Sequence, residues 1–259
     1  MTRSGILLFM SMLLSVACVS AQHIVAHRGM HSAEGAEQNS LAALRAAEDA
    51  NIYGVECDVN MTADGELVVI HGPWLGDEGN SDRINIQRSN LATIRSQRLD
   101  NGEPVPTLDE FLQQVATNPT IHIYIEIKEH ATSRLESEVA QKVVAAVSEY
   151  QLQDNVTYLS FSQHLCNELC RYAPSSTAIA YLGSNLAPRL VERLGYTDIC
   201  YRVKTLKRRS RWIAKAHSLG LRVGVWTVNS VDDARWARSQ GVDYIITDDP
   251  MLVESVVNN

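Results

Sequence analysis

The 259-residue chain has little that marks a nucleic-acid-binding, fibrous or disordered protein. Its 23 Lys and Arg are outnumbered by 30 Asp and Glu, giving a formal net charge of −7, which argues against a nucleic-acid partner. It has no internal repeats and no Pro-, Gly- or Ser-rich linker. With 45% hydrophobic and 20% charged residues, it can bury a sizeable core. The length fits one large α/β barrel or two modest domains.

The chain also lacks an apolar run long enough to cross a membrane. The longest run, Ile6 to Val16, is about half of the ~20 residues that a transmembrane helix requires. Arg3 precedes this run and small residues follow it, which is typical of a secretory signal peptide over residues 1–21, cleaved after Ala21. We therefore expect a periplasmic or extracellular protein without a transmembrane segment after cleavage. The alternative is a lipoprotein, cleaved before Cys18 and anchored by it.

Cysteines are few in the part that remains, residues 22–259. An oxidising compartment permits a disulfide in a domain of this size but does not require one. None of these cysteines has metal-ligand spacing with histidine, so no zinc site is expected and we interpret them as core residues. They are Cys57, Cys166, Cys170 and Cys200.

Short β-branched runs alternate with amphipathic helical patterns along the mature chain. Eight such units match the ~250 residues of a (β/α)₈ TIM barrel. A doubly wound sheet is the alternative, but its Gly-rich phosphate loop is missing. The predicted strands are 23–27, 54–59, 121–128, 156–161, 177–182, 198–201, 221–227 and 243–247, and the predicted helices include 40–50, 108–116, 134–150, 207–219 and 231–240, the last two with Gly220 and Gly241 as C-caps.

One segment departs from this alternation. The second strand continues through an Asp64-Gly65 turn into another strand, which predicts a β-hairpin. A hairpin centred on that dipeptide places Asp58 opposite His71, unless a bulge shifts the register by one residue. An irregular insertion at about 72–105 follows, with a short helix near 90–97.

Charged side chains lie on one face of two predicted strands. Glu56 and Asp58 alternate with apolar residues, and Glu126 and Lys128 do the same on the next barrel strand. In a closed barrel such carboxylates point inward, where they are costly unless paired or bound to metal. An edge hairpin with a solvated polar face is the alternative.

The positions of these residues favour a catalytic site. They lie at carboxyl ends of strands, the rim where barrel enzymes place catalysis, as do His27, Arg28 and Trp226. Three carboxylates suit a hard divalent cation, with Mg²⁺ favoured over Ca²⁺. The combined charge of the three carboxylates, that ion, Arg28 and Lys128 is +1, which complements the −1 charge of a phosphodiester. The planar guanidinium of Arg28 is suited to hydrogen-bond phosphate oxygens. His27 and His71 are candidates for proton transfer, because imidazoles have pKa values near neutrality.

Short motifs occur in order over nearly all of the mature chain: His27-Arg28-Gly29, Asn39-Ser40, Glu56-x-Asp58-Val59, Thr62-x-Asp64-Gly65, Val68-Val69-x-His71, Pro106-Thr107-Leu108, Glu126-x-Lys128, Trp226-Thr227-Val228-Asn229, Gly241-Val242-Asp243 and Thr247-Asp248-Asp249-Pro250. In these motifs the sequence resembles the glycerophosphodiester phosphodiesterase family. This resemblance implies a (β/α)₈ barrel with a hairpin insertion after the second strand. It also implies one divalent cation on Glu56, Asp58 and Glu126, with His27 and His71 as the acid/base pair.

The reaction implied by the resemblance is hydrolysis of a small glycerophosphodiester to sn-glycerol 3-phosphate and an alcohol. Arg28 and Lys128 would bind the phosphate, and Trp226 would pack on the rest of the substrate. Two positions depart from the family pattern, since Gln38 and Gly72 stand where acidic residues are usual. His31 is interpreted as a surface residue or a substrate contact.

Two alternative interpretations of the sequence stay open. One is a secreted module that binds a phosphoester without turnover, and another is a phosphodiesterase that acts on lysophospholipids. Amidohydrolases are a rival barrel family, but they carry His-x-His after the first strand, whereas His27 here is followed by Arg28 and Gly29. The head group and the oligomeric state are left open.

Overall fold

The computed structural model describes residues 22–76, 83–118 and 120–258. The predicted signal peptide, residues 1–21, lies outside the described residues. Within those residues, no helix combines the length and the apolarity needed to span a bilayer.

Strands and helices alternate along the chain after the first hairpin. The strands are β1 (His23–Ala26), β2 (Gly54–Met61), β3 (Leu67–Val69), β4 (Trp74–Leu75), β5 (Ile84–Asn85), β6 (His122–Ile127), β7 (Val156–Ser160), β8 (Ala178–Tyr181), β9 (Asp198–Arg202), β10 (Arg222–Trp226) and β11 (Tyr244–Thr247). The helices are α1 (Leu41–Asp49), α2 (Leu91–Arg95), α3 (Leu108–Thr117), α4 (Ser133–Glu149), α5 (Gln163–Tyr172), α6 (Pro188–Arg193), α7 (Val203–Arg208), α8 (Arg211–His217), α9 (Val231–Gln240) and α10 (Pro250–Val257), with a 3₁₀ turn at Ile86–Arg88.

Eight parallel strands close into a barrel. The order around it is β1, β2, β6, β7, β8, β9, β10 and β11, and β11 pairs back with β1. Parallel pairing sets Asp58 of β2 beside Glu126 of β6, so residues at the carboxyl ends of neighbouring strands meet at one rim. The TIM-barrel prediction is therefore confirmed, with all eight predicted strands in place.

Successive side chains of each strand point alternately out of the barrel and into it, so the fold has two cores. Val55, Cys57 and Val59 face outward and pack among buried apolar residues of the surrounding helices. The barrel interior is filled by a smaller cluster that includes Tyr124, Leu159 and Tyr244. Cys57, Cys166 and Cys200 are buried as predicted, whereas Cys170 is exposed, and all four are free thiols.

The hairpin after β2 forms, but its predicted register is wrong by one residue. Val59 pairs with Val69, and the amide of Ile70 donates to the carbonyl of Asp58, so Ile70 takes the place predicted for His71. The reason is the turn, which has three residues, Ala63 to Gly65, in place of two. Gly65 takes a positive φ of 86° that closes such a loop.

Helix boundaries follow the predictions except at 207–219 and at 90–97 in the insertion. The helix predicted over 207–219 is broken into α7 and α8 by Arg209 and Ser210, and α8 ends at the C-cap Ser218. Gly220, predicted as the C-cap, lies two residues later with φ 77°. Gly241 caps α9 in the left-handed conformation, as predicted.

The insertion between β3 and α3 has a small core of its own. Its described part contains the β4–β5 ribbon, the 3₁₀ turn and α2, which is shorter than the helix predicted at 90–97. Ile86, Ile94 and Val105 are fully buried against Val68 of the hairpin. The insertion is thereby packed beside the rim that carries His71.

Candidate active site

Three carboxylates meet at the carboxyl-end rim of the barrel. Glu56 and Asp58 come from β2 and Glu126 from β6, and all three are buried. One oxygen of each lies within 4.8 Å of the other two, close enough to bind one ion. The sequence prediction that these residues face inward and converge is confirmed.

The turn after β1 aims Arg28 at this cluster. Arg28 has a positive φ of 57°, and Gly29 follows with φ 80°. A Cβ on Gly29 would lie 2.7 Å from that of Ala43, so only glycine fits against α1. In this conformation the backbone amide of Arg28 donates to Glu56 Oε2 at 2.8 Å.

Two side-chain cations neutralise part of the cluster. Lys128 Nζ lies 2.6 Å from Asp58 Oδ1 and 2.5 Å from Glu126 Oε1. Arg28 Nε lies 3.1 Å from Asp58 Oδ2. Burial alone would raise the pKa of Asp58, but these two positive charges outweigh it and lower that pKa below its ordinary value.

The other two carboxylates are less well compensated. Burial, reinforced by the charge of Asp58, raises the pKa of Glu56, and burial likewise raises the pKa of Glu126. Among the described residues, nothing hydrogen-bonds the buried Glu56 Oε1. When all three carboxylates are ionised, they leave one negative charge in excess of the two cations, which a divalent cation would reverse. The donor set of buried oxygens therefore fits a hard divalent ion.

Amide side chains hold the cluster in place. Asn39 Nδ2 donates to Asp58 Oδ2 at 2.8 Å, and the Asp58 amide donates back to Asn39 Oδ1 at 3.0 Å. Gln38 Oε1 accepts from Arg28 Nη1 at 2.5 Å. Because Gln38 is neutral, it orients the guanidinium without cancelling its charge.

His27 is oriented from the far end of the chain. Its Nδ1 lies 2.6 Å from Asp248 Oδ1, just after β11, and its Nε2 lies 3.9 Å from Glu56 Oε2. Asn229 Nδ2 donates to the second oxygen of Asp248. Hydrogen bonds from His27 and His31 hold the pKa of Asp248 well below its usual range. His31 is thus a half-buried contact of Asp248, at 3.4 Å, rather than an isolated surface residue.

His71 lies at the exposed edge of the same cavity. Desolvation of its imidazole lowers the pKa to about 4, and the positive charge of Lys128 acts in the same direction. The imidazole is therefore neutral above about pH 4, and a ring nitrogen is available as a proton acceptor. The one-residue shift of the hairpin register does not remove His71 from the site.

The cavity in front of the cluster has two unlike walls. It measures about 400 Å³, and His27, Arg28, Glu56, His71, Glu126 and Lys128 form its charged wall. Leu159, Phe161, Leu182, Trp226 and Ile246 form the apolar wall. The structure thus brings all eight predicted site residues together: seven of them line the cavity, and the eighth, Asp58, is fully buried within the carboxylate cluster.

Sequence reasoning assigned no role to three residues that position this site. Asn39 and Asp248 occur within the matching motifs, and Gln38 is one of the two departures from the family pattern, but no local pattern indicates the partners of these three residues. The available signal was position, because Asp248 follows the eighth barrel strand and Asn39 precedes the helix cap Ser40. Closure of β11 onto β1 is what brings Asp248 to His27.

Comparison with known proteins places this geometry in a family. The family model described as glycerophosphoryl diester phosphodiesterase matches residues 27–252. A glycerophosphodiester phosphodiesterase of Caldanaerobacter subterraneus is 26% identical over 254 residues, covering 91% of this chain and 96% of the relative.

Solved structures agree with that assignment. A glycerophosphodiester phosphodiesterase from Parabacteroides distasonis has a TM-score of 0.87 and 31% identity, covering 92% of this chain and 97% of that one. An Oleispira antarctica phosphodiesterase in complex with the product sn-glycerol-3-phosphate has the same fold, with a TM-score of 0.78, 21% identity, and coverage of 92% and 98%. The chain described here therefore belongs to the glycerophosphoryl diester phosphodiesterase family.

Proposed function

We propose that the protein hydrolyses small glycerophosphodiesters to sn-glycerol 3-phosphate and an alcohol with the help of one divalent cation. The observation that carries this proposal is the convergence of three buried carboxylates with Arg28, Lys128 and two histidines in one cavity. Membership of the family supports the reaction class.

Glu56, Asp58 and Glu126 would hold the cation, with Mg²⁺ favoured over Ca²⁺ because so few protein ligands leave room for water. When bound, the ion supplies Lewis acidity and positive charge at the phosphate. The chain's own contribution is to fix these oxygens. Asn39 locks Asp58 through two hydrogen bonds, and the Arg28 amide locks Glu56.

Arg28 and Lys128 bind and orient the phosphodiester. Both side chains line the cavity while contacting the cluster, so an anionic group placed there lies against two fixed positive charges. Charge that develops on the phosphate oxygens during the reaction is stabilised by the same groups. Trp226 lines the same cavity, where it contacts the organic part of the substrate beside the Arg202 guanidinium that lies over its ring.

His27 and His71 move the protons. Asp248 holds Nδ1 of His27, so Nε2 faces the cluster and is free to exchange a proton. His71 reaches the same cavity from the hairpin, as a separate proton carrier. One histidine deprotonates the attacking oxygen and the other protonates the leaving alkoxide.

A substrate screen tests this proposal. Purified protein, stripped of metal and reloaded with Mg²⁺, Ca²⁺ or Mn²⁺, is assayed with glycerophosphodiesters and with a lysophospholipid. Release of sn-glycerol 3-phosphate that requires added metal is the expected result. Binding without release would establish a phosphoester-binding module, and full activity in excess chelator, with metal shown to be removed, would refute metal dependence.

We further propose that the protein is exported, with cleavage after Ala21. The pattern of Arg3, an apolar run and small residues supports this, and it leaves Gln22 immediately before β1. Mass spectrometry of the N-terminus of the purified protein is the test. An acylated Cys18 would show a lipoprotein, and retained Met1 would contradict export.

A further inference from the structure

Arg202 lies at the border between the cavity and solvent. It is the last residue of β9, it lines the cavity and it is exposed. Its guanidinium lies over the ring of Trp226 at 4.9 Å. Trp226 is itself fixed, because its Nε1 donates to the carbonyl of Cys200 at 2.9 Å and Phe161 packs edge-on at 5.5 Å. The positive charge of Arg202 is thereby held in a defined place.

No acidic side chain neutralises this charge within the described residues. The ion pairs of those residues do not include Arg202, and the hydrogen bond to Ser184 Oγ comes from its backbone amide and not from its guanidinium. The acids that line the cavity, Glu56 and Glu126, belong to the metal cluster and are engaged there. Arg202 is therefore a positioned cation with its charge available.

The segment that begins at Arg202 strengthens the positive field. Residues 202–215 contain seven of the 23 Lys and Arg and no Asp or Glu, so 16 basic residues face 30 acidic ones in the rest of the chain. The whole-chain balance conceals this local excess. Lys204 continues it from Arg202 at the N-terminal end of α7 and is exposed.

We propose that Arg202 recognises an acidic group on the alcohol arm of the substrate, so the preferred substrates are glycerophosphodiesters whose alcohol carries an additional negative charge. The inference rests on the proposed function, because the phosphate held by Arg28 and Lys128 defines where the arms begin. The alcohol arm extends from the phosphate either along the apolar wall of the cavity or through the opening of the cavity to solvent. Arg202 borders both routes, since it lines the cavity and is exposed.

The same geometry disfavours a cationic alcohol such as choline. A quaternary ammonium binds best over the face of an aromatic ring, but the Trp226 face already holds the guanidinium of Arg202. Like charges brought together across a recognition site reduce affinity. The aromatic wall is thus used to fix a cation that belongs to the protein.

A matched pair of substrates tests this inference. Glycerophosphoinositol 4-phosphate and glycerophosphoinositol differ only in one phosphate on the alcohol arm, and glycerophosphocholine serves as the cationic probe. For the unmodified protein, we expect kcat/KM to be about tenfold higher for the phosphorylated member, the size of one charge-assisted hydrogen bond.

Variants distinguish direct recognition by the Arg202 side chain from a general electrostatic effect of the basic segment 202–215. Arg202→Gln should bring the ratio of the two inositol substrates close to one, mainly through KM, and Arg202→Lys should restore part of it. Arg211→Gln removes the same charge from an exposed site in the basic segment outside the cavity, and it should keep the ratio.

The outcomes distinguish the two proposals. The role of Arg202 would be overturned, and the proposed function kept, if the unmodified protein hydrolysed both inositol substrates with similar kcat/KM. It would also be overturned if Arg211→Gln lowered the ratio of the two kcat/KM values as much as Arg202→Gln. A preference for glycerophosphocholine would also overturn it. No hydrolysis of any diester with any metal would instead overturn the proposed function.

Discussion

The two ends of the barrel both contain buried ionisable groups, but they balance charge differently. At the carboxyl-end mouth, Glu56, Asp58 and Glu126 outnumber the two cations that contact them. At the opposite end, Asp198 is fully buried and pairs one-to-one with Arg222, Nη2 to Oδ2 at 2.9 Å. The mouth is left with one uncompensated charge and the base with none.

The base is also closed by aromatic packing. His122 lies between Tyr53 and Tyr124, with ring centroids 5.8 and 4.9 Å apart, and Tyr124 packs on Tyr244. His122 Nε2 lies 2.8 Å from Thr157 Oγ1, which also accepts from Arg222. The charges of Asp198 and Arg222 compensate each other there, so the base has the character of a structural site.

This difference separates groups that stabilise the fold from groups that await a ligand. A buried ion pair whose charges cancel needs no further partner, whereas a buried cluster with a net charge is costly until an ion compensates that charge. Mutations at the mouth should therefore change metal binding and turnover. Mutations at the base should change stability and leave chemistry intact.

The largest effect is expected at the metal ligands. Glu56→Gln, Asp58→Asn and Glu126→Gln should each weaken metal binding and lower kcat by about 100-fold or more, because each removes a charged ligand from a buried site. Calorimetric metal titration and initial rates measure the two quantities. Cys57→Ala, on the outward face of the same strand, is the matched control and should keep both.

Next in size is the loss of proton transfer. His27→Ala and His71→Ala should each lower kcat by roughly 10²–10⁴ while metal affinity changes little, since neither imidazole is among the cluster of ligands. Single-turnover kinetics with metal-loaded protein is the measurement. An unchanged kcat in either variant would remove that histidine from the mechanism.

At the base, the expected effect is on stability. Asp198→Asn leaves Arg222 without its carboxylate partner and should lower the free energy of unfolding by about 2–3 kcal/mol, less than a fully buried pair because the arginine is partly solvated. Urea unfolding measures this change. The kcat of the folded variant should stay within about twofold of the original, and a large loss of turnover would contradict the division between the two ends.

The smallest effect concerns the pH dependence of stability. Burial, followed by the charge of Arg222, lowers the pKa of His122 to about 4 from an unfolded value near 6.5. The unfolded chain thus binds the proton first, so the contribution of His122 is full above pH 6.5 and is lost as pH falls toward 4. We expect ~2 kcal/mol of acid destabilisation from this residue. His122→Gln, followed by unfolding at pH 7 and pH 5, should lose less stability on acidification than the original protein.

Much of the fold and site followed from local pattern. Eight β-branched runs predicted the eight barrel strands, and period-two alternation placed Glu56, Asp58 and Glu126 inside and Cys57 outside. Position at strand ends placed His27, Arg28 and Trp226 at the same rim. These features depend on a few neighbouring residues, which is why they are legible in the sequence.

The tertiary structure decided what depends on contacts between remote segments. The hairpin register was set by Gly65 closing a three-residue turn, and local alternation alone did not distinguish it from a two-residue turn. Asp248 reaches His27, 221 residues away, because the barrel closes β11 onto β1. Likewise, Arg202 covers Trp226 only because β9 and β10 pair in register. The sequence by itself determined which chemical groups face the mouth, whereas barrel closure decided which of them touch, since such contacts exist only once distant strands are paired.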